Sequence, residues 1–130
     1  MKWLDKKEEG QSLVEFVLVL PVLLILLLGI VEFGQIFFSY MVIQNASRDG
    51  ARHGTVWATD EAIRLTVQDK TNFLEQSNLT VTIEPAPNLR QHGEEIRVSI
   101  NYDAPLFTPM WENILPNPFP ISTETVMRIE

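Results

Sequence analysis

The sequence predicts an α+β protein in which a long N-terminal transmembrane helix precedes a small domain of one helix on a three-stranded antiparallel sheet. Three observations predict this fold class. Residues 13–43 are almost continuously apolar, residues 60–76 carry apolar side chains at helical spacing, and two later segments alternate apolar with polar residues. An alternating pattern is typical of strands that bury one face.

The apolar run is the first predicted element. Residues 16–31 are uncharged and would form about 24 Å of helix, which is short of a ~30 Å hydrocarbon core. Continuing to residue 43 adds only one charge, Glu32, and makes the helix long enough to span. No small-x-small cleavage site closes the run before Ala46, which argues against an ordinary secretory signal peptide. No other segment is as apolar, so one span is expected.

The distribution of charge predicts orientation and excludes one class of partner. Lys2, Lys6 and Lys7 precede the span, whereas Arg48 and Arg52 follow it, which favours a cytoplasmic N-terminus. The net charge is −7, and the residues after position 44 contribute −5 of it. A domain of that sign is a poor electrostatic match for nucleic acid, so no nucleic-acid partner is expected.

The predicted domain begins with its helix and continues with its strands. The helix over residues 60–76 would be capped by Thr59 or Asp60 and would bury Ile63, Val67 and Leu74. Strands over residues 79–84 and 96–102 would form a hairpin with a wide loop, and residues 121–129 a third strand.

A proline-rich loop separates the second strand from the third. Three aromatic residues in and beside it admit two interpretations. Phe107, Trp111 and Phe119 either fold back into the core or form a surface that contacts a partner, since long loops in small domains often carry contacts.

Chemistry-bearing residues are sparse. The chain has no cysteine, which excludes disulfides and thiolate chemistry, and its two histidines, His53 and His92, are far apart. No spacing suggests a metal site or a nucleophile–base pair, and no glycine-rich phosphate loop is present. The sequence therefore predicts a protein that is not an enzyme, with no catalytic residue, no metal and no cofactor.

One carboxylate stands at the start of the apolar run. Glu15 follows Gly10 by five residues and has no basic residue within a helical turn or two after it. A carboxylate in hydrocarbon costs about 2.5–3.5 kcal/mol on insertion scales. The position of Glu15 therefore indicates a charge partner from another molecule.

Several separate motifs carry a resemblance to a known family. They are the opening GQSLVEF at residues 10–16, a Leu-rich run with an early proline, GIVEFG at residues 29–34, and ASRDGAR at residues 46–52. Together they resemble the N-terminal region of TadE-like pseudopilins, minor components of the Tad (Flp-type) pilus. The resemblance covers about a third of the chain.

The resemblance implies a domain organisation and a set of partners. Residues 1–10 would be a prepilin-type leader, residues 11–54 the transmembrane and assembly helix, and residues 55–130 an extracytoplasmic domain. A prepilin peptidase would cut between Gly10 and Gln11. The other implied partners are pilin or pseudopilin subunits, pilus platform proteins with their ATPase, and membrane lipid. The chain would reside in the inner membrane before joining a filament at the cell surface.

Cleavage after Gly10 suggests a role for Glu15. It would create an α-amino group on Gln11, which is positively charged below a pKa of about 7.7–8.0. Glu15 of one subunit could neutralise that amine on a neighbour and remove two unfavourable membrane charges with one pair.

Other helix residues have weaker indications. Gly29 and Gly34 flank Glu32, so another helix could approach closely there, although Glu32 could equally lie at the outer membrane interface. Pro21 removes a backbone donor and is expected to kink or locally melt the helix.

Two alternatives stay open. The chain could be an uncut single-pass inner-membrane adaptor whose outer domain binds a partner. It could also be an adhesin-like subunit at a pilus tip, with residues 105–120 as its binding surface.

Overall fold

The computed structural model describes residues 2–130, with side chains described from Lys7 onward. The chain divides into two compact units, one ending at Gly34 and the other spanning Gln35–Glu130. Helix α1 (Lys2–Thr55) supplies all of the described first unit and the beginning of the second. The second unit continues with α2 (Asp60–Lys70) and strands β1 (Leu79–Glu84), β2 (Glu95–Ala104) and β3 (Phe119–Arg128).

The first unit is a single helix with exposed apolar side chains. Among the described residues, α1 is the one helix long and apolar enough to cross a membrane, judged by length and composition. Pro21 lies inside α1, and the helix is assigned without interruption on both sides of it. The helix is therefore not broken at Pro21, while a bend at this position stays a prediction.

In the second unit, α1 packs closely against α2 and the sheet because small residues of α1 face the core. A Cβ added to Gly50 would lie 3.1 Å from Cγ2 of Val67 in α2 and 3.6 Å from Cγ1 of Val98 in β2. A Cβ added to Gly54 would overlap Cδ1 of Ile96. Glycine at these two positions lets α1 approach the sheet and α2 together.

Helix α2 begins where the sequence predicts and ends earlier. Thr59 is the N-cap, and its side chain accepts a hydrogen bond from the Ala62 amide. The helix stops at Lys70 because the next residue, Thr71, is buried and turns the chain. The Thr71 hydroxyl donates to the Val67 carbonyl at 2.8 Å, and Gln76 Nε2 donates to the Thr71 carbonyl at 2.6 Å. The prediction that α2 extends to residue 76 is wrong.

The sheet is antiparallel with the order β1-β2-β3. Leu79 pairs with Tyr102 in the first ladder, and Ala104 pairs with Phe119 in the second. Strand β3 starts two residues before the predicted strand and includes Pro120, which an edge strand tolerates. The alternation of β2 places one side chain in two in the core, which comprises Ile43, Ala46, Ala51, Ile63, Val67, Leu74, Ile83, Ile96, Val98, Ile100, Tyr102, Ala104, Ile121 and Ile129.

Polar contacts join the segments around this core. The guanidinium of Arg90, in the β1–β2 loop, is ion-paired with the Asp60 carboxylate at the start of α2. The hydroxyls of Ser47 in α1 and Thr125 in β3 are hydrogen-bonded at 2.7 Å. At the chain end, Trp57 Nε1 donates to the Glu130 carbonyl at 2.7 Å. These elements confirm the predicted fold class, a long apolar helix followed by one helix on a three-stranded antiparallel sheet.

Candidate assembly site

The predicted cleavage junction lies inside α1. Gly10 and Gln11 are helical and exposed, and a Cβ placed on Gly10 would meet nothing within 4 Å. Glycine in a helix interior costs about 1 kcal/mol relative to alanine. Gly10 is therefore an accessible position where the helix is less stable than it would be with alanine.

Glu15 is exposed one helical turn beyond the junction, and its partner is an amide. Gln11 Nε2 donates to Glu15 Oε1 at 3.3 Å, a pair four residues apart on one helix face. Within the described part of the chain no basic group pairs with Glu15. The side chain of the residue that would become the N-terminus thus already reaches this carboxylate, a contact that no pattern in the sequence predicts.

The helix surface beyond Glu15 is apolar on all sides. Phe16 and Leu18 are 60% and 70% exposed, and Ile30 and Val31 remain exposed at the far end of the run. A solvent-facing surface of this size is found where a membrane or another protein covers it. The described residues of this unit do not cover it themselves.

The second predicted contact site places its residues in different environments. Glu32 is buried, with 3% exposure, and is not an unpaired charge. Gly29 is partly buried, whereas Gly34 is exposed and has open space where its Cβ would lie. An approaching helix thus finds room at Gly34, and the role of Glu32 stays a prediction.

The three loop aromatics also separate. Phe107 is 66% exposed, whereas Phe119 is partly buried and packs against the core at the start of β3. Trp111 is half-buried in a short 3₁₀ turn (Pro109–Trp111), and its Nε1 is buried without a hydrogen-bond partner among the described residues. Core packing therefore accounts for Phe119 and not for Phe107.

The loop exposes two further apolar side chains that no sequence pattern distinguishes. Met110 and Ile114 are 46% and 71% exposed. Neither has a periodic pattern around it, because the loop belongs to no regular helix or strand. The only signal in the sequence was the scarcity of charge across residues 105–120.

No metal site accompanies these residues. Among the residues that the structure describes, no group of three His, Cys, Asp or Glu side chains could hold a metal ion. The candidate site is made of the predicted junction, a carboxylate and an exposed apolar helix surface.

The segment that carries this surface matches a known protein family. Residues 10–52 match the family model described as TadE-like protein. The match confirms the resemblance to the TadE-like family. Comparisons with curated proteins and with solved structures found no significant match. The TadE-like family is structural and associated with the Tad pilus, which indicates a pilus-associated protein here.

The TadE-like segment contains two physically different parts. Its beginning holds Gly10, Glu15, which is hydrogen-bonded to Gln11, and an exposed apolar surface that the described residues of the same unit do not cover. Its end, residues 46–52, contains Gly50 and other small residues that pack α1 against α2 and β2. The first part suits contacts with other molecules, and the second fixes the domain to its helix.

Proposed function

We propose that this chain is a minor pilin or pseudopilin of a Tad-type pilus or secretion filament. Before assembly it resides in the inner membrane, anchored by α1, with its N-terminus in the cytoplasm and its α+β domain outside. A prepilin peptidase removes residues 1–10, and the chain then joins other subunits through α1. The partners are pilin or pseudopilin subunits and the platform proteins of the pilus.

One observation carries this proposal. Within α1, an exposed glycine is followed by a glutamine and, one turn later, by a carboxylate. The apolar helix surface beyond them is not covered by the described residues of its own unit. An anchor alone needs the apolar surface but not the carboxylate, because a charge at the membrane is unfavourable without a partner. The TadE-like match over residues 10–52 supports the same interpretation.

Glu15 has two possible partners after cleavage. The new α-amino group of Gln11 lies within a turn of Glu15 in the same chain, and the same group on a neighbouring subunit is the alternative. A pair within one chain would not require a neighbour, so only an effect on assembly identifies the pair between subunits. We assign the pair between subunits, because the described residues of this unit also leave the surrounding helix surface uncovered.

The first experiment identifies the mature N-terminus. Mass spectrometry of the protein from cells with a complete pilus system is expected to find a chain that begins at Gln11. Gly10→Leu should leave the leader in place, while the matched variant Gly34→Leu should be processed normally. An intact leader on the wild-type chain would overturn the pilin proposal and support the uncut adaptor.

The second experiment tests Glu15. Glu15→Gln keeps the shape of the side chain and removes its charge, and it is expected to lower recovery of the chain with other pilus subunits after crosslinking. Glu9→Gln is the matched control, since Glu9 is also an exposed acid of α1 but lies in the leader. Equal recovery for both variants would contradict the proposed role of Glu15.

A further inference from the structure

We propose that the first turns of the domain's α1 segment and the β2–β3 loop form a surface that lies at the membrane interface, where the hydrocarbon core meets the lipid headgroups. This surface, the apolar end, comprises Phe37, Tyr40 and Met41 of α1 and Phe107, Met110 and Ile114 of the loop. All six side chains are exposed, by 38% or more. The inference rests on the proposed anchoring of the chain by α1, and it does not depend on cleavage or filament assembly.

The direction of α1 against the sheet brings these two groups of residues to the same end. Gly54 faces Ile96 at the start of β2, and Gly50 faces Val98 two residues later, so the helix runs antiparallel to β2. From Gly54 back to Ile36 is about 27 Å of helix, and from Ile96 to Ala104 is about 27 Å of strand. Residues 36–39 are therefore level with the end of β2, where the loop begins.

The length of the apolar run places this level in the membrane interface. Residues 13–43 extend over about 46 Å as a helix, compared with ~30 Å for the hydrocarbon core and ~40–45 Å for the bilayer with its headgroup regions. In a helix centred in the bilayer on this run, residues 36–39 lie about 12–17 Å from the midplane, where the hydrocarbon core meets the outer headgroup region. The β2–β3 loop, which is level with them, is held at the same depth.

The composition of both segments suits that depth. Residues 33–47 contain no charged residue, and residues 105–118 contain only Glu112. The opposite end of the domain, at the β1–β2 loop, carries Arg90, Glu94 and Glu95 within six residues. Aromatic side chains are enriched where a protein meets the headgroups, and charged residues are disfavoured there.

The prolines of the loop also favour a location at the membrane interface. Residues 105–118 include four prolines, and each one lacks a backbone N–H. Removing an unpaired N–H from water is unfavourable, so a loop with fewer donors enters a less aqueous environment at lower cost. A loop that served as an adhesive tip would instead be expected at the end farthest from the point where Gln35 enters the domain.

The test uses the absence of native cysteine. Single cysteines are placed at Ile114 and, as a control at the charged end, at His92, which is exposed in the β1–β2 loop. A third site, Val22, lies in the apolar run and reports membrane insertion. Each full-length variant is labelled with an environment-sensitive fluorophore and reconstituted in phosphatidylcholine vesicles, with and without lipids that carry a nitroxide quencher just below the headgroups.

The expected result is several-fold stronger quenching at Ile114→Cys than at His92→Cys, with strong quenching at Val22→Cys. Equal, weak quenching at positions 114 and 92 together with a quenched position 22 overturns the inference and leaves the anchoring intact. An unquenched position 22 shows instead that the anchoring itself fails. The fluorophore at position 114 could instead become more shielded from water as the amount of protein per vesicle rises, without being quenched by the lipids. That result would identify a contact between subunits and would also overturn the inference.

Discussion

The guanidinium of Arg90 is ion-paired with the carboxylate of Asp60, thirty residues earlier in the chain. The Arg90 side chain is 4% exposed, and its other nitrogens donate to the Pro85 carbonyl at 3.1 Å and the Ala58 carbonyl at 3.5 Å. This one side chain holds the β1–β2 loop against the connection between α1 and α2.

Replacing Arg90 should therefore destabilise the domain. Arg90→Ala leaves Asp60 and two carbonyl groups without their donor, and removing one partner of a buried pair costs about 3–5 kcal/mol. We expect the lower end of that range, because the Asp60 side chain is 29% exposed. Denaturant unfolding of the full chain in detergent micelles, followed by near-ultraviolet circular dichroism, measures the change.

The matched control is the exposed pair on the sheet surface. Arg97 and Glu124 are 3.3 Å apart and about half exposed. Exposed pairs contribute about 0–1 kcal/mol, so Arg97→Ala should change stability little. Similar losses for Arg90→Ala and Arg97→Ala would show that the buried pair has no special role.

The close packing of α1 gives a second prediction. Gly54→Ala places a methyl group against Cδ1 of the buried Ile96, and overpacking of a core costs about 1–3 kcal/mol. Gly34→Ala meets open space and should leave the free energy of unfolding unchanged or raise it by up to about 1 kcal/mol. The same unfolding measurement compares the two, and an equally stable Gly54→Ala would disprove close packing at this position.

The hydroxyl pair between α1 and β3 gives a third prediction. Ser47 is fully buried, and its hydroxyl is hydrogen-bonded both to the Gln44 carbonyl, at 2.9 Å, and to Thr125. Ser47→Ala and Thr125→Val should each cost about 1 kcal/mol, because each leaves a hydroxyl without a partner or removes a hydrogen bond. The double variant should lose less than the sum of the two, and strict additivity would argue against the bond.

The last residues of the chain give a fourth prediction. Ile129 is 1% exposed, and its amide donates to the Glu94 carbonyl at 2.7 Å, so this residue closes the core beside the β1–β2 loop. Ile129→Ala should destabilise the domain by about 2–5 kcal/mol. Val126→Ala removes apolar atoms from an exposed position of the same segment and should cost much less. Equal effects would mean that residue 129 is not part of the core in solution.

Periodic patterns made much of the fold predictable. The alternation in β2 and the helical stripe of Ile63 and Val67 each identify a buried face, because burial selects apolar side chains at the spacing of the element. The end of α2 was not predictable in the same way. It depends on the buried hydroxyl of Thr71 and on Gln76, which bonds back across the turn, and neither contact has a periodic signal.

The candidate site, like the fold, was only partly predictable from the sequence. Gly10, Glu15 and the apolar run stand out in the sequence because a charge beside such a run is unfavourable without a reason. The Gln11–Glu15 bond and the exposure of Met110 and Ile114 do not stand out, since they depend on side-chain directions in three dimensions. Arg48 and Gly50 lie two positions apart in one motif, yet only the packing of α1 shows that the glycine faces the core.

The antiparallel packing of α1 against β2 has a mechanical consequence. A pull along the axis of α1 at Gln35 loads the contacts of Gly50 and Gly54 in parallel, as shear along the strand. It does not peel them apart one after another. Because this segment of α1 is a core element of the domain, a force applied at Gln35 is transmitted to the folded domain as a whole.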